Sequence, residues 1–269
     1  MNKHYLGIDI GSSFMKFVVT DSSSNIMYKN VIRTLSRDKK EKEKIQNYIF
    51  SNFQIKKTCA TGYGREHNDF ADITKTEIYC ASAGVSALCN EEKTIVDVGG
   101  EDVKVIRSAN DGKVIDFYMN TKCAAGTGTF ITEIAERAEI DVSAMSELAA
   151  KSKFSNELNS FCTVFAKTEI MKWLFSDVPV EDVAKGIYLS IVNRISKIRM
   201  EKDLKIYLIG GVAQFHPYLK NAMEEKFNTE IVVPDNPQFI CALGASILAK
   251  TSGDKDEIST QKKVFNNVK

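Results

Sequence analysis

Short apolar segments alternate along the chain with segments whose apolar residues recur at helical spacing. Residues 4–20 contain two apolar runs around a glycine turn, and residues 204–209 form another apolar run. Runs of this length between turn residues predict strands. Helical spacing is evident at residues 39–51 and again after Pro179, where one apolar face is expected to continue as far as Ile198. Alternating strands and helices predict an α/β fold.

Residues 94–107 repeat the arrangement of residues 4–20. Each segment predicts a strand, a glycine turn and a second strand, followed by a polar turn and a third apolar run. Repetition of a whole supersecondary unit predicts two similar lobes that arose by duplication. The matching residues, 88 positions apart (97 minus 9), are Asp9 and Asp97, Gly11 and Gly99, and Lys16 and Lys104.

The repeated turns, Asp9-Ile-Gly-Ser-Ser13 and Asp97-Val-Gly-Gly100, suit phosphate binding. Glycine lets backbone N–H groups approach a phosphate without an intervening Cβ. We expect the turns to face each other across a cleft and hold the β- and γ-phosphates, while both aspartates bind Mg²⁺ through its waters. Lys16 would neutralise the negative charge that develops on the phosphates during the reaction, or else its side chain would lie in solvent. Residues 210–213 follow a buried strand and would form a loop that binds adenosine. Two purely structural hairpins are the alternative.

Two cysteines, Cys123 and Cys162, stand just before segments with apolar residues at helical spacing. The N-terminus of a helix presents free N–H groups and the positive end of its dipole, which favour a thiolate. Two such thiolates suit a metal or iron–sulfur centre. The alternative is two cysteines buried in the core.

The chain resembles the ATPase activators of 2-hydroxyacyl-CoA dehydratases and the related benzoyl-CoA reductase ATPase subunits. These belong to the acetate kinase/sugar kinase/Hsp70/actin superfamily. The two segments that begin at Cys123 and Cys162 distinguish this family from the generic kinases of that superfamily. The resembling segments are Gly7-Ile-Asp-Ile-Gly-Ser-Ser13, Ala60-Thr-Gly-Tyr-Gly-Arg65, Asp97-Val-Gly-Gly100, Lys122-Cys-Ala-Ala-Gly-Thr-Gly128, Cys162-Thr-Val-Phe-Ala166, Gly210-Gly-Val-Ala213 and Ala242-Leu-Gly-Ala245.

The resemblance implies a duplicated ribonuclease H-like, two-lobed ATPase of the actin/sugar kinase type. It also implies a homodimer that shares one [4Fe–4S] cluster. A cubane cluster usually takes four thiolates, which Cys123 and Cys162 of two chains would supply. A ferredoxin or flavodoxin would donate single electrons, which ATP hydrolysis would help to pass to an iron–sulfur dehydratase or reductase.

The resemblance and the turn chemistry together give a set of candidate site residues. Gln238 matches a family position near the nucleotide, or else it begins a helix in solvent. The candidate catalytic residues are Asp9, Asp97, Glu101 and Asp102, and the candidate metal ligands are Cys123 and Cys162. The candidate nucleotide-binding residues are Gly11, Ser12, Ser13, Phe14, Met15, Lys16, Gly99, Gly100, Glu101, Gly210, Gly211, Val212, Ala213, Gln238 and Gly244.

Several positions depart from the family pattern. Glu101, followed by Asp102, replaces a common glutamine. A glutamine can donate a hydrogen bond to a γ-phosphate or to water, whereas an ionised glutamate only accepts. Glu101 would therefore position water as a base, or repel phosphate and slow turnover. The segment Lys167-Thr-Glu169 replaces an acidic pair, Thr121 replaces an aspartate, and Cys80-Ala81 replaces Cys-His. These departures bear on the partner and on the hydrolysis rate more than on the fold.

The chain is expected to divide between the two lobes. Residues 1–95 would form the first lobe, with a helix at 237–250 returning to it. Residues 96–236 would form the second lobe and carry both cysteine helices. The polar and charged residues 251–269 are expected to be disordered.

Composition narrows the class of protein further. Lys and Arg number 36 and Asp and Glu 35, a net charge of +1, which argues against nucleic-acid binding by bulk electrostatics. No long apolar run predicts a membrane span, and the first residues lead into a strand rather than a signal peptide. Six cysteines without a secretion signal predict a reducing cytoplasm rather than a disulfide scaffold. Core packing is expected for Cys59, Cys80, Cys89 and Cys241.

Two other classes of function remain open at this point. A small-molecule kinase of the same superfamily would have an acceptor pocket and no iron. A filament-forming or chaperone-like ATPase would give nucleotide-dependent polymers or bind peptides, with no role for Cys123 or Cys162.

Overall fold

The computed structural model describes residues 3–36, 39–120, 126–154, 156–158, 162–201 and 203–252. The chain forms two compact units. One contains the residues up to Leu88 and those from Phe239 onward, and the other is Cys89–Gln238. Cys123 lies outside the described residues, and so do residues 253–269 of the segment 251–269 in which disorder is expected; Thr251 instead ends a helix.

The first unit is built on a mixed five-stranded sheet. Its strands are β1 (His4–Ile10), β2 (Phe14–Thr20), β3 (Ile26–Arg33), β4 (Ile55–Thr61) and β5 (Ile73–Thr74). Their order is β3-β2-β1-β4-β5. Strand β2 runs antiparallel to both β3 and β1, whereas β4 runs parallel to β1 and β5 runs parallel to β4. The α-helices described in this unit are α1 (Lys39–Asn52), α2 (Glu77–Ser86) and α9 (Ile240–Thr251).

Alternation along β1 gives the first unit a buried layer on each face of its sheet. Leu6 and Ile8 point to one face, where they pack with Ile45 and Ile49 of α1. Tyr5 points to the other face and belongs to a cluster formed by α2 and α9. The predicted inward face of α1 is therefore confirmed.

The second unit repeats this sheet. Its strands are β6 (Lys93–Val98), β7 (Val103–Ser108), β8 (Val114–Asn120), β9 (Lys205–Ile209) and β10 (Ile231–Val232). Read from the edge at β8, their order is β8-β7-β6-β9-β10, which is the order of the first sheet. The hairpin registers also match, because Asp9 pairs with Lys16 and Asp97 pairs with Lys104. The predicted duplication of a strand–turn–strand unit is confirmed.

Helices cover one face of the second sheet and form the largest buried cluster of the described chain. They are α3 (Gly128–Arg137), α4 (Met145–Lys151), α5 (Thr163–Phe175), α6 (Val180–Ile195), α7 (Gly211–Phe215) and α8 (Tyr218–Phe227). Phe130, Ile131, Ile134 and Ala135 of α3 are fully buried in this cluster. The apolar face predicted for the segment after Cys123 is confirmed.

Two predicted element boundaries were wrong. The helix after Pro179 ends at Ile195, and Ile198 lies beyond it, although Ile198 still packs against the same core. The chain turns at Ser196 and Lys197, with no glycine or proline to mark the change. The predicted loop at 210–213 is mostly helix, because Gly210, at φ 99°, reverses the chain and α7 starts at the next residue.

Glycines allow α2 and α9 to pack closely. A Cβ at Gly244 would overlap the carbonyl oxygen of Cys80, and a Cβ at Gly84 would overlap that of Ile240. Backbone carbonyls cannot swing away as a long side chain can. Contact with α9 therefore accounts for the glycine at position 84 of α2.

We expect Gly244→Ala to lower the free energy of unfolding by about 2 kcal/mol, because overlap with backbone outweighs the better helix propensity of alanine. Urea denaturation measures the change. Gly211→Ala is the matched control, since a Cβ there meets nothing within 4 Å. Equal stability of the two variants would contradict the packing argument.

In the part of the chain that the structure describes, no helix is long and apolar enough to cross a membrane.

Candidate functional site

The first repeated turn joins β1 to β2 and presents a buried carboxylate. Asp9 is 5% exposed, and Lys16 Nζ lies 3.0 Å from its Oδ2. Lys16 is thus ion-paired rather than solvated. Among the described residues, Asp9 Oδ1 has no hydrogen-bond partner. A buried carboxylate oxygen without a donor is costly, so its chemistry fits a cation or a water bound to one.

Neighbouring segments brace the first turn. The amide of Gly11 donates to Phe14 O and closes the turn. Thr34, after β3, donates through its Oγ1 to Gly11 O at 2.7 Å and through its N–H to Ser13 O at 3.0 Å. The amide of Gly64, in the glycine loop after β4, donates to Ile10 O at 2.9 Å. Sequence reasoning missed Thr34, for which no motif gives a signal.

The second turn joins β6 to β7 and repeats the acid–base pair with an additional carboxylate. Lys104 Nζ lies 3.6 Å from Asp97 Oδ2 and 2.6 Å from Asp102 Oδ2. Lys104 and Asp97 are buried. The amide of Gly99 donates to Asp102 O, and a Cβ at Gly99 would overlap the Asp102 carboxylate. Asp102 is therefore held against the turn, whereas Glu101 beside it is exposed.

The Gly-Gly segment meets the second turn at the carboxyl end of β9. Ile209 pairs with Asp97 in the parallel ladder. A Cβ at Gly210 would overlap Asp97 Oδ1, so glycine is required there both by its φ and by the nearby carboxylate. Gly210 N–H donates to Pro237 O at 3.1 Å, which brings the segment before Gln238 to the same place. Gln238 is half-buried in a short 3-10 helix.

The remaining candidate nucleotide-binding residues differ in burial and in what they contact. Ser13 and Phe14 are exposed, and Gly11 and Ser12 are partly exposed at the first turn. Met15 instead packs into the core of the first unit, and Gly244 lies in the contact between α2 and α9. Val212 and Ala213 are buried in α7, whereas Gly211 borders open space. The side chains of Val212 and Ala213 are therefore not free to meet a ligand, and that of Met15 is not available to a nucleotide at the first turn.

The helix that follows Cys123 begins on the second turn. Gly128 N–H donates to Gly99 O at 2.9 Å, and Thr129 N–H donates to Gly100 O at 2.8 Å. The first two N–H groups of α3 are thus satisfied by carbonyls of the turn rather than by a side-chain cap. Sequence reasoning missed both residues, although the glycines at 126 and 128 were a signal of close backbone approach.

Cys162 is the N-cap residue of α5 and is exposed. Helices α5 and α3 are joined by an ion pair in which Lys167 Nζ lies 2.7 Å from Glu133 Oε2. Lys167, a departure from the family pattern, therefore links the two cysteine helices instead of extending into solvent alone. Cys123 lies outside the described residues, and no group of three or more potential metal ligands occurs within them.

Large apolar side chains surround the exposed end of α5. Val164 and Phe165, directly after Cys162, are each 68% exposed, and Phe175 at the other end of the helix is 80% exposed. The periodicity of α5 predicted its helix but not this exposure, because an apolar face has the same pattern whether the core or another molecule covers it.

The other cysteines differ in burial. Cys59, Cys80 and Cys241 are buried in the first unit, as predicted. Burial raises the pKa of the Cys80 thiol well above its usual value, and the neighbouring Cys59 adds to this shift. Cys89 is only partly buried, so the prediction of core packing was wrong for it.

Comparisons with known proteins agree with this geometry. The model of the BadF/BadG/BcrA/BcrD ATPase family matches residues 6–249. The chain is 36% identical over 250 residues to the 2-hydroxyisocaproyl-CoA dehydratase activator of Clostridioides difficile, covering 91% of this chain and 94% of that protein. It is 34% identical over 258 residues to the (R)-2-hydroxyglutaryl-CoA dehydratase activating ATPase of Acidaminococcus fermentans, covering 93% and 98%.

Solved structures give the same result. The activator of the 2-hydroxyisocaproyl-CoA dehydratase from Clostridium difficile, solved with bound ADPNP, matches with a TM-score of 0.82 and 34% identity, over 93% of this chain and 94% of that one. A ROK family glucokinase from Streptomyces griseus matches at 0.57 and 11% identity, over 93% and 100%, which shows the fold alone. The two-lobed, actin/sugar kinase-like fold is confirmed, and the chain belongs to the BadF/BadG/BcrA/BcrD ATPase family.

Proposed function

We propose that this ATPase is an iron–sulfur activator that passes single low-potential electrons to a partner iron–sulfur enzyme. The partner would be a 2-hydroxyacyl-CoA dehydratase or a reductase of the benzoyl-CoA type, and the donor a ferredoxin or flavodoxin. Relatives named as dehydratase activators, and one named as part of a benzoyl-CoA reductase, support this class of partner. The working form would be a homodimer.

The residues of both turns fit Mg²⁺ and the phosphates of ATP. Asp9 Oδ2 is held by Lys16, which leaves Oδ1 for a water bound to Mg²⁺. Asp97 is oriented by Lys104 from one side and lies against the glycine backbone at Gly210 on the other. These contacts hold each carboxylate in place before ATP binds, so little reorganisation is needed when charge develops. Exposed Glu101 would position the attacking water.

The cysteines fit a cluster shared by two chains. The exposed Cys162 at a helix N-terminus can serve a ligand that lies outside its own chain. Cys123 would supply the second thiolate, and the same two residues of a second copy would complete the set. When bound, the cluster would supply one-electron chemistry at low potential. Helix N-termini, solvent exposure and hydrogen bonds to sulfur would set that potential.

One observation carries the proposal, namely the hydrogen bonds from the start of α3 to the second turn. A change in the turn when ATP is hydrolysed must move α3 or break these bonds. The ion pair between Lys167 and Glu133 would extend that movement to α5. Nucleotide state would thereby change the surroundings of both cysteines.

We expect Gly128→Pro to slow ATP-driven electron delivery about tenfold, because it removes the hydrogen bond from this N–H to Gly99 O and sets the proline ring against that oxygen, which separates α3 from the turn. Proline is tolerated at the first position of a helix, and Thr127, at φ −119° and ψ 177°, has the backbone that a following proline requires. The measurement is the ATP-dependent rate at which the reduced protein transfers electrons to an artificial one-electron acceptor.

Gly128→Ala is the matched control, because it adds a Cβ at ordinary contact distance and keeps the N–H. It should transfer electrons at nearly the wild-type rate. If the two variants transfer electrons equally fast, α3 is not the link between nucleotide and cluster.

A further inference from the structure

A cavity of 360 Å³ lies in the first unit, between the end of β3 and helix α1. The buried side chains of Met15 and Ile32 form its apolar floor. This volume is within the range usual for sites that bind small molecules. Its walls are completed by Arg33, Thr34, Ser36, Lys42, Glu43, Gln46 and Phe70.

The most buried polar residue that lines this cavity is Gln46. Gln46 is 7% exposed, and its Nε2 has no hydrogen-bond partner among the described residues. A buried N–H donor without an acceptor carries its full desolvation cost, and native structures rarely leave such a group unpaired. The lining position of this amide fits a ligand with an acceptor oxygen.

Charges on the cavity walls favour an anion. Arg33 and Lys42 both line it, and one carboxylate, that of Glu43, lines it too, so the wall carries a net positive charge. Lys42 Nζ lies 6.0 Å from the centre of the Phe70 ring. Phe70 is 45% exposed, which suits it to cover the apolar part of a bound molecule at the rim.

We propose that this cavity binds a small carboxylate with an apolar tail. The carboxylate accepts a hydrogen bond from Gln46 Nε2 and lies near Arg33 and Lys42, while the tail contacts Met15, Ile32 and Phe70. The site does not depend on the proposed electron transfer. Thr34, which lines the cavity, nevertheless donates hydrogen bonds to Gly11 O and Ser13 O, which connects the ligand to the first turn.

Hexanoate is a suitable probe, titrated against the full-length protein by ligand-observed NMR. Hexanoate should bind saturably. Both 1-hexanol, which lacks the carboxylate, and inorganic phosphate, which lacks the apolar tail, should bind at least about tenfold more weakly. Gln46→Leu should weaken hexanoate binding about tenfold, since it removes the donor and keeps the apolar volume. Arg33→Ala and Lys42→Ala, at more exposed positions, should each weaken it severalfold.

The matched controls are Gln54→Leu and Lys44→Ala, which change exposed residues at or beside the same helix and should leave hexanoate binding unchanged. Saturating MgADP should not displace hexanoate. Any of three results would overturn the proposal. Hexanoate could fail to bind the wild type saturably, 1-hexanol could bind equally well, or Gln46→Leu and both cation variants could bind hexanoate as the wild type does. Displacement by MgADP would also overturn it, by making the cavity part of the nucleotide site.

Discussion

Replacing Cys162 with alanine should remove iron and acid-labile sulfide from anaerobically purified protein and abolish electron transfer, while ATP hydrolysis survives. Cys123→Ala should do the same. Wild-type protein should contain about four iron and four sulfide per dimer, as a cubane cluster requires. A cluster that takes two thiolates from each chain loses half of its ligands in either variant, because symmetry doubles each substitution. Neither cysteine belongs to the turns that would bind ATP.

The matched control is Cys89→Ala, which removes a partly buried thiol from the same chain and should leave iron and sulfide unchanged. Iron and sulfide analysis, the visible spectrum and ATP hydrolysis are measured on all four proteins. A colourless wild type that phosphorylates a small acceptor would support the kinase alternative. Loss of ATP hydrolysis together with iron would contradict the division of labour between turns and cysteines.

The duplicated sheet could be predicted from the sequence because its signals are local. An aspartate, a glycine and a lysine at fixed positions in a strand–turn–strand recur in both halves, and the structure gives both hairpins the same register. The acid–lysine contacts could not be foreseen. Whether Lys16 reaches back across a hairpin or extends into solvent depends on side-chain packing, which spacing does not reveal.

Contacts between distant segments account for most of what the sequence did not predict. Gly128 was identified only as part of a cysteine motif, and Thr129 directly follows that motif, but the amides of both donate to carbonyls about thirty positions earlier in the chain. Gly244 was predicted to bind nucleotide from a family motif, whereas close approach to Cys80 already requires glycine there. Periodicity identifies a helical face, and it does not identify the surface that covers that face.

The Asp97→Asn variant should hydrolyse ATP about a hundredfold more slowly than the wild type, or slower still, because asparagine keeps the shape of the side chain and loses the charge that Mg²⁺ requires. Its fold should survive. Lys104 keeps an ion pair with Asp102 at 2.6 Å after the change, so its buried charge stays paired. Steady-state kinetics with MgATP and the urea midpoint are measured together. Asp111→Asn, in the exposed turn between β7 and β8, is the control and should retain wild-type activity.

The equivalent change in the first hairpin separates chemistry from stability. Asp9→Asn should slow hydrolysis to a similar extent, but Lys16 then loses its ion pair with the Asp9 carboxylate, which should cost about 2 kcal/mol of stability. Asp97→Asn should cost less than about 1 kcal/mol, because Lys104 keeps the nearer of its two carboxylates. We thus expect the two variants, at equivalent positions of the two hairpins, to lose similar amounts of hydrolysis rate but unequal amounts of stability. Hydrolysis within about threefold of wild type in either variant would mean that this aspartate only holds its lysine, since loss of a metal contact costs far more.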